Sequence, residues 1–394
     1  MRLKHGIDLG YCTNIHRGET WAETFAGLRT YTDAVRRRVS PEAPYGIGLR
    51  LSAVAARELA GDTTLRNDFH RWLEISNSYV FTINGFPYGT FHGSRVKEQV
   101  YAPDWTTAER LAYTNLLFDL IDEFAPSGES VSVSTLPGSF KEFIRPDTAA
   151  DQREAIYRHL RSCSEHLDRL RDRSGRDLHL GLEPEPLGLF ETSGETVAFF
   201  EGLVAGLGSG EKERLLRNIG VNYDTCHLAV EFEEPAAAIS ALRSSGIRIS
   251  KIHLSSALRL QPTAESVGRL AAFHDEVYLH QVIVSDGARV IQRFRDLPDA
   301  FAWYESAENP GREWRVHFHV PIHAHPEALF ADTRDHISGL LTLMGDDPGW
   351  CGHFEMETYT WEVMPAAMRS GDVVEQLVSE YDWCLGEFRR CGLA

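Results

Sequence analysis

The chain reads as an α/β protein built as a (β/α)8 barrel, and three observations carry that reading. Short apolar, β-prone runs alternate with helical patterns from the start, the order that produces βα units and a parallel sheet. Four of those runs end in an acid or a histidine, where a barrel strand opens into its functional loop. The 394 residues, 43% of them hydrophobic, suffice for one barrel domain over 1–394 that carries an insertion.

The first strand is 4–11, followed by a helix over 20–38. The second is 45–51, with a helical region reaching Trp72. The third, 78–84, opens into a loop over 85–105 that is too long for simple closure, and such loops in compact barrels are functional or disordered. It offers Phe86, Tyr88, Lys97 and Tyr101, with Asn84 at its start and His92 within it as substrate contacts, because ring faces stack on C–H surfaces and polar groups read hydroxyls. The plain alternative is a packed Ω-loop. The fourth strand is 131–135, then a helix spans 148–173, and the fifth strand, 178–183, delivers Glu183. A lead-in over 218–223 runs into Asp224, a helix spans 235–244, and Ser250-Lys251-Ile252-His253-Leu254 is the seventh strand. The last strand, 352–357, ends in Glu355-Met356-Glu357, and a helix over 370–390 closes the barrel.

Between His253 and Glu357 lie about three βα units where one is expected, so an insertion is placed at about 258–325. Within it, 278–284, the Ser285-Asp286-Gly287 turn and 288–294 read as a β-hairpin, and 314–322 as a further strand. That makes nine strand candidates for eight barrel places. The surplus strand carries His317, His319 and His323 on one side and could displace His253. The spacing from Asp224 favours His253, leaving His319 as a substrate-binding candidate.

The strand-end residues form a series: Glu183, Asp224 with His227, His253, and Glu357. Singly each has a bland reading. Asp-x-x-His is often a turn with a helix cap, Glu-Pro-Glu-Pro a surface loop, and a lone strand histidine a hydrogen-bonded core residue. Together, at βα spacing, they read as ligands of a divalent cation, with Glu183, Asp224, His253 and Glu357 as the set and His227 facing substrate. Glu183 and Glu185 share a strand face, as do Glu355 and Glu357. Glu183 is preferred for its place before the first proline and Glu357 for lying nearer the strand's open end, with Glu185 and Glu355 as reserves that would touch substrate. Carboxylate and imidazole without thiolate suit Mn²⁺, Zn²⁺, Mg²⁺ or Co²⁺ alike.

The Asp224-Thr225-Cys226-His227 tetrapeptide and the Lys-Ile-His-Leu strand resemble the xylose isomerase-like barrel superfamily, which includes ketose 3-epimerases, inosose dehydratases, hydroxypyruvate isomerases and endonuclease IV. With Asn84-Gly85-Phe86-Pro87-Tyr88-Gly89 and Glu183-Pro184-Glu185-Pro186, most of the chain resembles the EboE family, called metabolite-traffic proteins. The resemblance implies a metal-dependent isomerase or epimerase of a sugar or cyclitol, in which Glu183 and Glu357 would exchange a proton next to a carbonyl. Two alternatives stand beside it. A hydrolase of the endonuclease IV type would need further metal ligands from early strands, where only His5, His16 and His92 are on offer; a metabolite-binding protein would keep the site without turnover.

A formal net charge of −17 repels polyanions, and the one basic run, Arg36-Arg37-Arg38, reads as the solvated end of a helix, so no nucleic-acid partner is expected. No Gly-rich phosphate loop is present. The expected partner is a small polyol. No apolar run approaches membrane-span length and the first residues lack a signal-peptide core, so a cytoplasmic protein without membrane insertion is expected. The six cysteines form no Cys-x-x-Cys pair. A homo-oligomer is compatible with the sequence.

Overall fold

The computed structural model describes residues 1–89, 97–324, 329–362 and 371–394. Seven strands come first: β1 (Asp8–Tyr11), β2 (Tyr45–Arg50), β3 (Ser78–Asn84), β4 (Val131–Thr135), β5 (Leu178–Leu182), β6 (Ile219–Asp224) and β7 (Ile249–Leu254). Then follow β8 (Ser256–Leu260), β9 (Val282–Ser285), β10 (Val290–Phe294), β11 (Glu313–Val320), β12 (Ala331–Asp332) and β13 (His353–Met356). The first seven and β13 make one sheet in the order β1-β13-β7-β6-β5-β4-β3-β2, with every neighbouring pair parallel. A parallel bridge between Cys12 and Gly48 brings its two edges together. The result is a nearly closed (β/α)8 barrel.

Strands covered by helices outside and filled by side chains inside are buried on both faces. On β6, Ile219, Val221 and Tyr223 belong to the main apolar core. The alternate residues Asn222 and Asp224 point the other way, into the barrel, because successive strand side chains change face. The helices start where capping residues allow. Thr20 and Glu23 form a capping box ahead of Trp21–Gly27, and Asp62 caps Thr63–Ile75. A turn of π-helix at Leu28–Thr32 joins Trp21–Gly27 to Asp33–Val39, whose last turn carries Arg36-Arg37-Arg38. Among the described residues no helix is long and apolar enough to cross a membrane.

The nine-for-eight problem resolves by layer. The barrel takes β7 with His253, and the surplus strand becomes β11 of a second, antiparallel sheet ordered β10-β9-β11-β8-β12. This sheet has its own apolar cluster, including Leu258, Val282, Val284, Trp314, Val316 and Phe318. Its strands run from Ser256 to Asp332, wider than the expected insertion. The sequence reading missed β8 because the single residue Ser255 separates it from β7, leaving no loop to divide the two strands. Other boundaries move as well: β1 begins at Asp8 after a short turn over Lys4–Gly6, the strand read over 278–284 begins at Val282, and the last helix is Val373–Arg390.

Candidate metal centre

Asp224 ends β6 and starts the short helix Thr225–Val230. Its Oδ1 accepts from the His227 backbone N–H at 2.9 Å and from Ser255 Oγ at 2.7 Å. The helix cap and the Ser255 hydroxyl thus use one oxygen of this acid and leave the other free of them. Asp224 Oδ2 is buried without a hydrogen-bond partner and lies 3.6 Å from His253 Nδ1.

The same division recurs at the other two acids. Glu183, just past β5, takes Asn222 Nδ2 on Oε2 at 2.8 Å and turns Oε1 to His253 Nδ1 at 3.3 Å. Glu357, just past β13, takes Asn14 Nδ2 and Asn84 Nδ2 on Oε1 at 2.8 and 3.1 Å and turns Oε2 to His253 Nδ1 at 3.1 Å. One donor atom from each of Glu183, Asp224, His253 and Glu357 lies within 4.8 Å of every other, and all four residues are buried. On its far side His253 Nε2 meets Glu355 Oε2 at 3.1 Å. A carboxylate there holds the Nε2–H tautomer and leaves the Nδ1 lone pair facing the three acids, the usual outer-layer support of a ligating histidine.

These residues fit a divalent cation. Three carboxylates share one buried space with a single imidazole, and an unpartnered buried oxygen such as Asp224 Oδ2 costs on the order of 1–3 kcal/mol unless something positive meets it. Titration behaviour points the same way. Burial alone would raise the Asp224 carboxyl, but His227, His253 and nearby His319 hold it well below the usual carboxylate range. Glu357 is likewise lowered against its burial, chiefly by His253. His253 is raised well above an ordinary imidazole although burial opposes it, because Glu357 and Glu183 face it. The centre draws positive charge.

Beneath it, Glu355 also accepts from Lys251 Nζ in a fully buried ion pair, and Lys251 donates to Ser134 Oγ at 3.2 Å. This departs from the reading of Glu355 as a substrate contact. Two residues before Glu357 on the same strand face, it sits one layer deeper and supports His253 instead. Room for it comes from Gly48, where a Cβ would lie 1.7 Å from Glu355 Oε1.

Above the centre a cleft of about 600 Å³, its open mouth included, is bordered by Phe86, Tyr101, Tyr278 and Tyr359, with Gln281 and Glu185 among its polar groups. Asn84, His227, Glu183 and Glu357 reach it too. The Glu185 carboxyl is pushed well above its ordinary range by burial and by Glu183 beside it, which favours a neutral acid able to donate to a hydroxyl. Lys97 borders the cleft but is paired with Asp296 at 2.6 Å. Tyr88 instead bonds Arg57 and packs on Tyr113. His92 lies outside the described residues. His319 is fully buried behind the cleft, and His317 lines it in its place.

Sequence reasoning missed Asn14, Asn222, Lys251 and Gln281. Asn222 had a signal, because it shares the inward face of β6 with Asp224. Asn14 had none: it meets Glu357 across 343 positions of chain.

No known family profile matches this chain, and no curated protein matches it. Among solved structures, a xylose isomerase-like TIM barrel protein from Mycobacterium smegmatis, in complex with magnesium, is similar at 11% identity. That match covers 98% of this chain and 97% of that one, with a TM-score of 0.53. The chain has the xylose isomerase-like barrel fold. A D-tagatose 3-epimerase-like protein is similar at 11% identity over 97% of this chain and 99% of that one, with a TM-score of 0.50. At such identities the likeness speaks for the fold.

Proposed function

We propose that the protein is a divalent-metal-dependent isomerase or epimerase of a sugar or cyclitol, moving a proton on a carbon next to a carbonyl. The observation that carries this reading is the division of labour at Glu183 and Glu357. Asparagine amides hold one oxygen of each, and the other oxygen faces a shared space below an aromatic-rimmed cleft. Two rigidly held carboxylates on one small volume suit removal of a proton by one and its return by the other. A cation bound by Glu183, Asp224, His253 and Glu357 would polarise the substrate carbonyl and acidify the neighbouring C–H.

The rest falls to the chain's own groups. Tyr101, Phe86 and Tyr359 offer ring faces to the C–H surface of a polyol and exclude water from the carboxylates. His227, Glu185 and Gln281 read hydroxyls. The donor set suits Mn²⁺, Zn²⁺, Mg²⁺ or Co²⁺, and the quoted motifs support membership of the EboE family.

Turnover in deuterated water is the test. Solvent deuterium is expected on the carbon next to the carbonyl, and Glu183→Gln and Glu357→Gln should each lower net conversion at least a hundredfold. One of the two should still wash label into bound substrate, since removal and return on one face need a single carboxylate. Solvent oxygen in the product without carbon-bound deuterium would establish hydrolysis instead. Tight binding of a polyol with no turnover would establish a carrier.

A further inference from the structure

Among the acids of the cleft, Glu185 is held differently from the rest. It lines the cleft at 5% exposure, yet its Oε1 is buried without a hydrogen-bond partner. Glu183 and Glu357 each give one oxygen to asparagine amides, and no amide does this for Glu185 Oε1. The sequence supplies the reason. Glu185 stands between Pro184 and Pro186, whose rings remove the backbone N–H groups on either side. The next N–H along, at Leu187, goes to Glu191 Oε2 at 3.0 Å. The carboxyl does meet the Tyr101 hydroxyl, but a buried oxygen left without a donor is costly unless a ligand brings one.

A substrate hydroxyl would bring a donor without a charge, and charge is what the cleft lacks. Once ionised, Glu185 joins Glu183, Asp224 and Glu357, so four carboxylates stand against the two positive charges of a divalent ion. Lys97 is the only ammonium bordering the cleft among the described residues, and Asp296 pairs with it at 2.6 Å. Phosphate on a substrate would therefore find no unpaired lysine or arginine among the described residues of the cleft. Positive charge, in contrast, would also find ring faces. Phe86 and Tyr101 meet with centroids 5.4 Å apart, Tyr278 and Tyr359 with centroids 5.3 Å apart, and all four border the cleft. The negative face of an aromatic ring attracts an ammonium. An ammonium at Oε1 would stand where the proton of the uncharged acid stands in the free protein.

We infer that the substrate carries a primary amine, as an amino sugar or an aminocyclitol does, and that Glu185 receives its ammonium beside the rings of the cleft. The inference rests on the polyol-isomerase reading and narrows its substrate class. Glu185 is then a specificity residue, apart from the proton transfer assigned to Glu183 and Glu357.

Calorimetric binding to the full chain in saturating Mn²⁺ tests it, with matched probes that differ by an amine in place of a hydroxyl. The pairs are glucosamine against glucose, 1-amino-1-deoxyfructose against fructose, and an inosamine against inositol. In at least one pair the amine should bind tighter by about tenfold or more, and Glu185→Gln, which keeps the shape and removes the charge, should bring that pair within about threefold. Thermal melts show whether the variant folds, and Glu185→Asn replaces it where it does not. Equal affinities in every pair, no measurable binding of any probe, or a preference that survives the change at Glu185 would overturn the inference. Solvent-deuterium exchange into the same probes is read separately. A Glu185-dependent preference without exchange sustains the amine site and removes the isomerase reading, and exchange without preference does the reverse.

Discussion

Asp224 gives its two oxygens different work, and its substitution separates them. Oδ1 caps a helix and takes the Ser255 hydroxyl, while Oδ2 faces the centre. Asp224→Asn keeps an oxygen for the cap and removes the charge, so metal-free protein should melt within a few degrees of wild type while Co²⁺ or Mn²⁺ affinity falls at least tenfold. Asp224→Ala should lose affinity similarly and cost about 1 kcal/mol more in stability for the lost cap. Calorimetric melts of stripped protein beside metal titrations measure both. Equal affinity for wild type and Asp224→Asn would remove Asp224 from the ligand set. Asn222, Asn14 and Asn84 act at the same scale, because each fixes which carboxylate oxygen remains for the centre.

At the scale of elements, β2 and β13 meet inside the barrel through a missing side chain. Gly48→Ala would drive a methyl into Glu355, disturbing the Lys251 pair and the hold on His253 Nε2. Displacing one partner of a buried ion pair costs about 3–5 kcal/mol, so this variant should melt well below wild type and bind metal more weakly. A melting point unchanged within a degree would show that Glu355 is not wedged there. The helix Val373–Arg390 offers a pH handle at Glu380, which accepts from Thr358, the residue after Glu357. Burial lifts the Glu380 carboxyl to about 8, although the Thr358 hydroxyl bonded to it at 2.9 Å pulls the other way. In the unfolded chain the same carboxyl titrates near 4.5. Between those values the folded protein holds a proton that the unfolded chain has released, so this group's contribution to stability falls as pH rises from about 4.5 to 8 and is flat beyond. Glu380→Gln removes that dependence. Melting curves from pH 5 to 8.5 should show the variant gaining on wild type as pH rises, by a few kcal/mol at most; parallel curves would refute the assignment.

At the scale of the whole molecule, a barrel with clustered acids at one end is stabilised by what those acids bind. A ligand held only by the folded chain at a hundred times its Kd adds about 2.7 kcal/mol. Saturating Mn²⁺ should therefore raise the melting temperature of stripped protein by several degrees, chelator should reverse it, and Glu183→Gln combined with His253→Ala should lower the response. A shift of equal size in that variant would place the stabilising ion elsewhere. The second sheet matters on this scale too. It carries His317 and His319 from a layer outside the barrel to the rear of the cleft, and Arg315 on β11 ties it to the barrel by donating to the Ala229 carbonyl at 2.6 Å and lying over the Phe232 ring.

What the sequence alone determined is what local chemistry encodes. Alternating runs announced the barrel, and the acids and histidine at strand ends announced a cluster, because strand alternation and βα spacing fix face and level without reference to distant chain. Tertiary structure decided the rest. Whether Glu355 or Glu357 faces the centre depends on Gly48 and Lys251, which lie on other strands. Whether β11 enters the barrel depends on a corner at Ser255 that is one residue long and leaves no loop to read. The asparagines that aim the carboxylates, and the meeting of His227 with His319, join positions from 39 to 343 residues apart. Such pairings arise from closing the barrel and packing a second sheet on it, and no window of sequence contains them.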